Sequence, residues 1–164
     1  MTMKKWIKPP FAVIGLEGRK PEDGEDIVRR LWEEANRRFP EVAGLAKLRD
    51  DGSLAGVWGA MTDASRAFRP WEDGFSRGLY LAGVECREDA AAPEGWTRWE
   101  VPGFEYLRVE NDGPEVFSRT LLEMEAAGMK LAGAVQDFTD PATGQGYMCF
   151  PIRSLDAGEG TEGV

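Results

Sequence analysis

Acidic and phenolic side chains in the predicted strands are the groups of this sequence that could carry out chemistry. The sequence contains no histidine, which excludes Ser-His-Asp and Cys-His catalysis and a histidine-ligated zinc site. Proton transfer would therefore use Asp, Glu, Tyr, Lys or Cys. The pair that we predict for acid–base catalysis is Glu85, at the end of one predicted strand, with Tyr147 near the start of another. Apolar surroundings would raise the pKa of such a carboxyl group and suit it to that role.

A carboxylate on a strand is more commonly a solvated charge, and this alternative stays open for every acid considered. It applies alike to Glu85, Glu100, Glu105 and Asp137. The distinction depends on whether apolar rings surround the acid.

Aromatic residues recur along the predicted strands and could line one binding trough. Six tryptophans are many for a chain of 164 residues with moderate apolar content. Because alternate side chains of a strand share a face, several of these rings are expected to converge. The predicted ligand-binding residues are Trp58, Trp71, Tyr80, Trp99, Tyr106, Phe138 and Tyr147. Packing in the hydrophobic core is the alternative for each ring taken singly.

The long connection at residues 62–78 carries Phe68, Trp71 and Phe75 among charges and glycines. A segment of this kind can close over a bound ligand and exclude water from it. We therefore expect this connection to act as a lid.

The composition narrows the classes of partner. The formal net charge of −9 argues against nucleic-acid binding, which needs Lys and Arg on the surface. No apolar stretch is long enough to span a membrane, and the basic start, interrupted by prolines, lacks a secretory cleavage pattern, so we expect a cytoplasmic protein. Cys86 and Cys149 form no CxxC pair and lie in apolar runs, which predicts buried free thiols and no metal site. We also expect no cofactor.

Hydrophobic periodicity divides the chain into strands and two main helices. Strands are expected at 11–18, 54–61, 79–86, 96–102, 104–111, 130–138 and 146–152. The first helix is expected between Glu25 and Phe39 and the second from Pro114 to the stop signal at Gly128. We treat residues 1–10 as an N-terminal extension and residues 154–164 as a disordered tail with too little apolar content to fold.

The chain contains signs of an internal duplication. The sequence Leu-Ala-Gly recurs at Leu54, Leu81 and Leu131. The copies at Leu54 and Leu131 each follow an amphipathic helix, and the strands before those helices, FAVIGLEG and FEYLRVEN, align with each other. The copy at Leu81 has no equivalent position, and we attribute it to chance.

The predicted fold class is therefore α+β, with duplicated β-α-β-β units related by a pseudo-twofold axis and one additional strand between them. The two halves run from about 11 to 86 and from about 96 to 153. Each unit would form an antiparallel sheet with its helix on one face. The opposite faces of the two halves are then expected to line a shared ligand cleft.

The order of these elements, together with the words FAVIGLEG, VPGFEYLRVEN, LAGAVQDF and GYMCFPI, resembles the GyrI-like domain. This domain is also known as the effector-binding domain of bacterial transcription activators. The resemblance runs from about Phe11 to Ile152 and implies a central cleft that binds bulky, often cationic or aromatic, small molecules. With few residues before Phe11, we expect the stand-alone type rather than one fused to a helix-turn-helix. Some stand-alone members resemble hydrolases of strained, cyclopropane-containing quinoline-type compounds.

The last predicted strand departs from the pattern of this family. Many members carry a carboxylate there, in a pattern like Glu-x-Tyr-x-Pro-x. The equivalent run here is YMCFPI at 147–152, so Tyr147 stands at the position of the carboxylate.

Three functional hypotheses follow from the residues and the resemblance. The first is a protein that binds a flat or bulky aromatic compound in the cleft. The second is a hydrolase of a strained aromatic compound that uses the same cleft. The third is a modulator that binds a regulator or gyrase through its acidic surface. The expected partner is an aromatic small molecule, with no nucleic acid and no membrane.

Overall fold

The computed structural model describes residues 3–155, whose eight strands form one sheet. The strands are β1 (Met3–Lys8), β2 (Phe11–Lys20), β3 (Val57–Thr62), β4 (Gly78–Cys86), β5 (Thr97–Val101), β6 (Phe104–Glu110), β7 (Gln136–Thr139) and β8 (Gly146–Ser154). The helices are α1 (Ile27–Arg37), the short α2 (Glu72–Phe75) and α3 (Val116–Ala126), with two 3₁₀ turns at Phe39–Glu41 and Ala43–Leu45. Most of the tail predicted at 154–164 lies outside the described residues.

The order of the strands shows the duplication. Across the sheet the order is β1-β6-β8-β7-β3-β4-β2-β5, and every neighbouring pair is antiparallel. The unit β2-α1-β3-β4 is repeated by β6-α3-β7-β8, and the two units meet where Trp58 of β3 pairs with Phe138 of β7. The predicted α+β fold of duplicated β-α-β-β units is confirmed.

The two outermost strands are exchanged between the halves. β1 precedes the first unit in the chain but pairs with β6 of the second unit. β5 precedes the second unit but pairs with β2 of the first. The additional strand predicted between the units therefore has a counterpart in β1, which forms within the segment that we assigned to an N-terminal extension.

Short connections between distant strands make the sheet curl. β1 and β2 are six places apart in the strand order, about 29 Å in a flat sheet, yet only Pro9 and Pro10 join them. Pro102 and Gly103 join β5 and β6 across the same number of places. Because two linking residues span only about 10 Å, the two edges of the sheet must approach each other. One face of the sheet thus becomes its inner face, and the other becomes its outer face.

Two glycines permit a close approach of β2 and β4 on the inner face. Gly15 and Gly83 are register partners. A Cβ atom would lie 2.5 Å from the Ala82 carbonyl oxygen if added at Gly15, and 2.1 Å from the Ile14 carbonyl oxygen if added at Gly83. A side chain at either position would therefore push the two strands apart.

Both long helices cover the outer face. Helix α1 buries Ile27, Leu31 and Ala35 against the sheet, and helix α3 buries Val116 and Met124. With Thr120, which α3 also buries, the buried residues of both helices recur every four positions, as the amphipathic pattern predicts. The outer-face residues beneath α1 include Ile14, Ala82 and Val84, and those beneath α3 include Leu107, Val109 and Phe150. None of the helices within residues 3–155 has the length and apolarity needed to cross a bilayer.

Strand β7 is shorter than the sequence predicts. It covers Gln136–Thr139, whereas the prediction began at residue 130. The amide of Ala132 donates to the Pro151 carbonyl oxygen, and that of Ala134 donates to the carbonyl oxygen of Phe68 in the long connection. Residues 130–135 are apolar enough to have the sequence pattern of a strand. Their backbone forms these two hydrogen bonds in place of the regular hydrogen-bond ladder of a sheet.

Candidate functional site

The seven predicted ligand-binding residues lie on two different faces of the sheet. Five of them belong to the inner face: Trp58, Trp99, Tyr106, Phe138 and Tyr147. Trp71 and Tyr80 pack instead on the outer face, in the cluster beneath α1. The sequence does not show which residues of β4 point to which face of the sheet. All nine residues of this strand are buried, and no alternation with polar residues marks one face. The structure therefore does not gather all seven rings into one trough.

The inner face is packed by the chain's own aromatic rings. Trp58 is fully buried, stacks on Trp6 of β1 at 6.0 Å and packs against Phe11 at 4.5 Å. Tyr106 is the register partner of Trp6 and lies 6.2 Å from its ring. Since the sheet curls around these rings, the face that we expected to be a cleft is largely filled core.

Glu85 is the buried carboxylate of the inner face. Its side chain is 1 % exposed, and its two oxygens lie 2.9 and 3.0 Å from the ammonium nitrogen of Lys8. The indole Nε1 of Trp58 donates a third hydrogen bond at 3.2 Å. The ammonium group of Lys8 therefore balances the charge of Glu85 inside the protein.

The predicted catalytic pair is not assembled. Glu85 contacts Trp58, which packs against Phe138 at 4.7 Å, and Phe138 in turn stacks on Tyr147 at 6.1 Å. Two aromatic rings thus separate the carboxylate from the phenol. The Tyr147 ring lies instead beneath the guanidinium of Arg108, whose Cζ atom is 4.6 Å from its centroid.

Among the described residues 3–155, the buried hydroxyl group of Tyr106 has no hydrogen-bond partner. A buried polar group without a partner costs about 1–3 kcal/mol. We expect Tyr106→Phe to raise the free energy of unfolding by about 1 kcal/mol, measured by urea denaturation. Tyr147→Phe, at a half-buried ring of the same face, serves as the control and should change stability by less than about 0.5 kcal/mol. A loss of stability in Tyr106→Phe would show that the hydroxyl group has a partner.

A cavity of about 180 Å³ opens on the outer face between the two halves. We name it the apolar pocket; its lining is Met61, Pro70, Trp71, Phe75, Phe117, Val135 and Met148. Met61 comes from β3 of the first half and Met148 from β8 of the second, so both halves contribute to the pocket. Every lining residue is apolar, as in sites for hydrophobic ligands.

The long connection covers this pocket. Trp71 is fixed by a hydrogen bond of 3.1 Å from its Nε1 to the Leu79 carbonyl oxygen. Phe75 meets Phe117 of α3 edge-on at 5.0 Å and remains exposed. The predicted lid segment therefore supplies two rings to the pocket.

The backbone of this connection is strained. Arg66, Phe68, Asp73 and Phe75 all have positive φ, between 54° and 66°. Such values are rare outside glycine and cluster where a segment serves a ligand site.

The carboxylate of Asp63 holds this strained backbone in place. It accepts hydrogen bonds from the amides of Ala67 and Arg69 and from the hydroxyl groups of Thr62 and Ser65. Burial acts to raise the pKa of Asp63, but these bonds outweigh it and lower the pKa to about 2. The carboxylate therefore stays ionised and keeps the start of the connection fixed.

The half-buried carboxylate of Asp137 lies next to residues that line the apolar pocket. It follows the lining residue Val135 by two positions and is the register partner of Met148. Its Oδ2 accepts a hydrogen bond of 3.3 Å from Tyr80, whose hydroxyl oxygen accepts one of 2.9 Å from Trp32 Nε1. Gly59 leaves the space for that hydroxyl group, since a Cβ there would lie 1.9 Å from it.

The electrostatic state of Asp137 differs from that of Glu85. Burial raises the pKa of Asp137 to about 6, and the hydrogen bond from Tyr80 only partly opposes this effect. Within residues 3–155, no cationic side chain forms an ion pair with Asp137. The outer face therefore holds an uncompensated carboxylate beside an apolar cavity.

Sequence reasoning missed several of these residues. Asp137 was considered as a strand carboxylate, and its position in an apolar run, directly before Phe138, was the signal that it is partly buried. The contribution of Phe117 to the pocket looks like ordinary core packing in the sequence. Trp6 and Lys8 lie in a short segment that we assigned to an extension, although their spacing of two residues is that of one strand face.

Comparison with known structures identifies the class of fold. SAV2435, solved bound to tetraphenylphosphonium, has a TM-score of 0.61 at 12 % identity, over 96 % of this chain and 97 % of that one. EcmrR, solved in a DNA complex with RPo, has a TM-score of 0.62 at 11 % identity over 94 % of this chain, which spans 58 % of the EcmrR chain. A putative transcription regulation protein from Staphylococcus aureus MU50 has a TM-score of 0.56 at 13 % identity, over 94 % and 99 % of the two chains.

The GyrI-like fold expected from the sequence is thereby confirmed. No protein-family model matches the sequence, and no curated protein sequence matches it. The likeness is one of fold, so the chemistry must be argued from the residues of this chain.

Proposed function

We propose that this protein binds a bulky, aromatic cation in the apolar pocket, with Asp137 as the counter-charge. The observation that carries the proposal is the uncompensated carboxylate beside a cavity lined only by apolar side chains. A cation that enters the pocket would neutralise Asp137 without displacing an ion-pair partner among residues 3–155.

The lining of the pocket suits such a ligand. Aromatic faces attract cations through their quadrupoles, and the rings of Trp71, Phe75 and Phe117 offer three of them. Burial of the ligand's own rings against Met61 and Met148 adds apolar area removed from water. The tetraphenylphosphonium complex of SAV2435 supports this class of ligand for the fold.

The direct test is a titration with tetraphenylphosphonium, followed by calorimetry and by quenching of tryptophan fluorescence. We expect stoichiometric binding to the wild-type protein and binding about tenfold weaker to Phe117→Ala, since the loss of one aromatic wall costs about 1.4 kcal/mol. The matched control is Leu122→Ala on the same helix, where the side chain is 68 % exposed and outside the pocket. Equal affinities of the two variants would contradict the assignment of the pocket.

Hydrolysis of a strained, cyclopropane-containing aromatic compound is the second candidate function. It is favoured by the carboxyl group of Asp137, whose pKa of about 6 suits a general acid or base at neutral pH. The hydroxyl group of Tyr80 is positioned beside it. Incubation with a cyclopropane-bearing quinoline compound, followed by mass spectrometry, separates the two functions: an enzyme forms a water adduct catalytically, whereas a binding protein returns the compound unchanged.

A further inference from the structure

We propose that the inner face contains a second ligand site, specific for a primary alkylammonium, and that Lys8 occupies this site as a tethered cation. The site is separate from the apolar pocket, because it lies on the opposite face of the sheet. It is formed by Glu85 and by the rings of Phe11, Trp6 and Trp58.

The surroundings of the Lys8 ammonium group are those of a cation-binding site. The nitrogen lies 4.7 Å from the ring centroid of Phe11, 5.9 Å from that of Trp58 and 6.0 Å from that of Trp6. Both oxygens of Glu85 lie within 3.0 Å of it. Aromatic faces around a carboxylate recognise ammonium groups in binding proteins, and here the chain itself provides the ammonium group.

The carboxylate is built into this site independently of Lys8. Glu85 is fixed by the hydrogen bond from Trp58 Nε1, and its backbone is held by the bonds between β4 and the segments at Lys47 and Gly56. Lys47 Nζ is 4.0 Å from Glu85, but its side chain is 55 % exposed and stands outside the ring cluster. Removing the Lys8 side chain would therefore leave a shaped, charged site.

Lys8 itself lies on an edge strand. Among residues 3–155, β1 ends the strand order and pairs with β6 alone. Its residues Met3 and Ile7 are exposed, so only one face of the strand is packed. The Lys8 side chain is 18 % exposed, which gives a free ligand a route to Glu85.

Chemical rescue of Lys8→Ala tests this proposal. The three outer carbons and the nitrogen that this substitution removes correspond to n-propylammonium. Loss of Lys8 leaves Glu85 buried and unpaired, so we expect the melting temperature to fall by roughly 10 °C. Saturating n-propylammonium should restore about half of this loss or more. If Lys8→Ala is unfolded, the same rescue appears as recovery of the far-ultraviolet circular dichroism signal.

Three controls make the result specific. The neutral analogue n-propanol should not rescue Lys8→Ala, and n-propylammonium should not shift the wild-type protein, whose site is filled. The double variant Lys8→Ala/Glu85→Gln lacks the buried charge, and it should fold without responding to n-propylammonium. A rescue by n-propanol of equal size, a response of the double variant, or no rescue at all would each overturn the proposal. None of these outcomes bears on tetraphenylphosphonium binding in the apolar pocket.

Discussion

Asp137→Asn is expected to weaken tetraphenylphosphonium binding at pH 7.5 by about 30-fold or more. The substitution removes the counter-charge of the cation from a buried site, where loss of one charged partner costs about 2 kcal/mol or more. The amide keeps the shape of the carboxylate and an oxygen that can accept the hydrogen bond from Tyr80. The measurement is a calorimetric titration of both proteins.

The pH dependence of binding gives this prediction a second readout. Ligand-free Asp137 has a pKa of about 6, and a bound cation favours its ionised form. Affinity for the cation should therefore fall about tenfold for each pH unit below 6 in the wild-type protein. In Asp137→Asn this dependence should vanish. Asp140→Asn is the matched control, because the pKa of Asp140 is lowered, with the hydrogen bonds from Ala142 and Arg49 outweighing burial.

The same substitution should stabilise the protein while it impairs binding. The folded-state pKa of Asp137, about 6, lies above the ordinary value of 3.8, so the unfolded state loses its proton first as pH rises. The free energy of unfolding therefore falls between about pH 4 and pH 6 and stays reduced above that range. Asp137→Asn should be more stable than wild type at pH 7.5 by about 3 kcal/mol. A variant that is less stable and binds tetraphenylphosphonium normally would contradict the role of Asp137.

Trp58→Ala is expected to lower the free energy of unfolding by about 4 kcal/mol. The indole is fully buried between Trp6, Phe11 and Phe138, so its removal leaves a cavity that the curled sheet cannot close. It also removes the hydrogen bond to Glu85. The measurement is urea denaturation followed by circular dichroism.

Two further variants separate the causes of that loss. Trp58→Phe keeps a ring and loses the hydrogen bond, so it should cost about half as much as Trp58→Ala. Leu122→Ala, at an exposed position of α3, should stay within about 0.5 kcal/mol of wild type. A cost below about 1 kcal/mol for Trp58→Ala would mean that the inner face is a solvated cleft after all.

The architecture was predictable from the sequence because local signals agreed with one another. The amphipathic pattern of 27–37, the proline after it and the alignment of Phe11 with Phe104 all favour the same duplicated unit. The curl of the sheet was not predictable, since it follows from which strands pair and how few residues join them. That curl decides whether an aromatic face is a cleft or a core.

The candidate site was only partly predictable for a related reason. Alternation assigned Trp58 and Tyr147 to the inner face, where the structure places them. It failed for Tyr80, because β4 is buried on both sides. The surroundings of Asp137 are formed by Gly59, Tyr80 and Met148, which lie on three other strands. Contacts of this kind depend on register, which no single stretch of sequence records.

The exchange of β1 and β5 between the halves has a consequence for how such a chain could arise. A half-length ancestor with the topology β-β-α-β-β could not complete its own sheet, because its first strand would pair with a second copy. It would exist as a homodimer that swaps its first strand. Fusion of two copies of its gene would turn the swapped contacts into internal ones without rearranging them. Neither half of the present protein should then fold when expressed alone, whereas the two halves mixed together should reassemble.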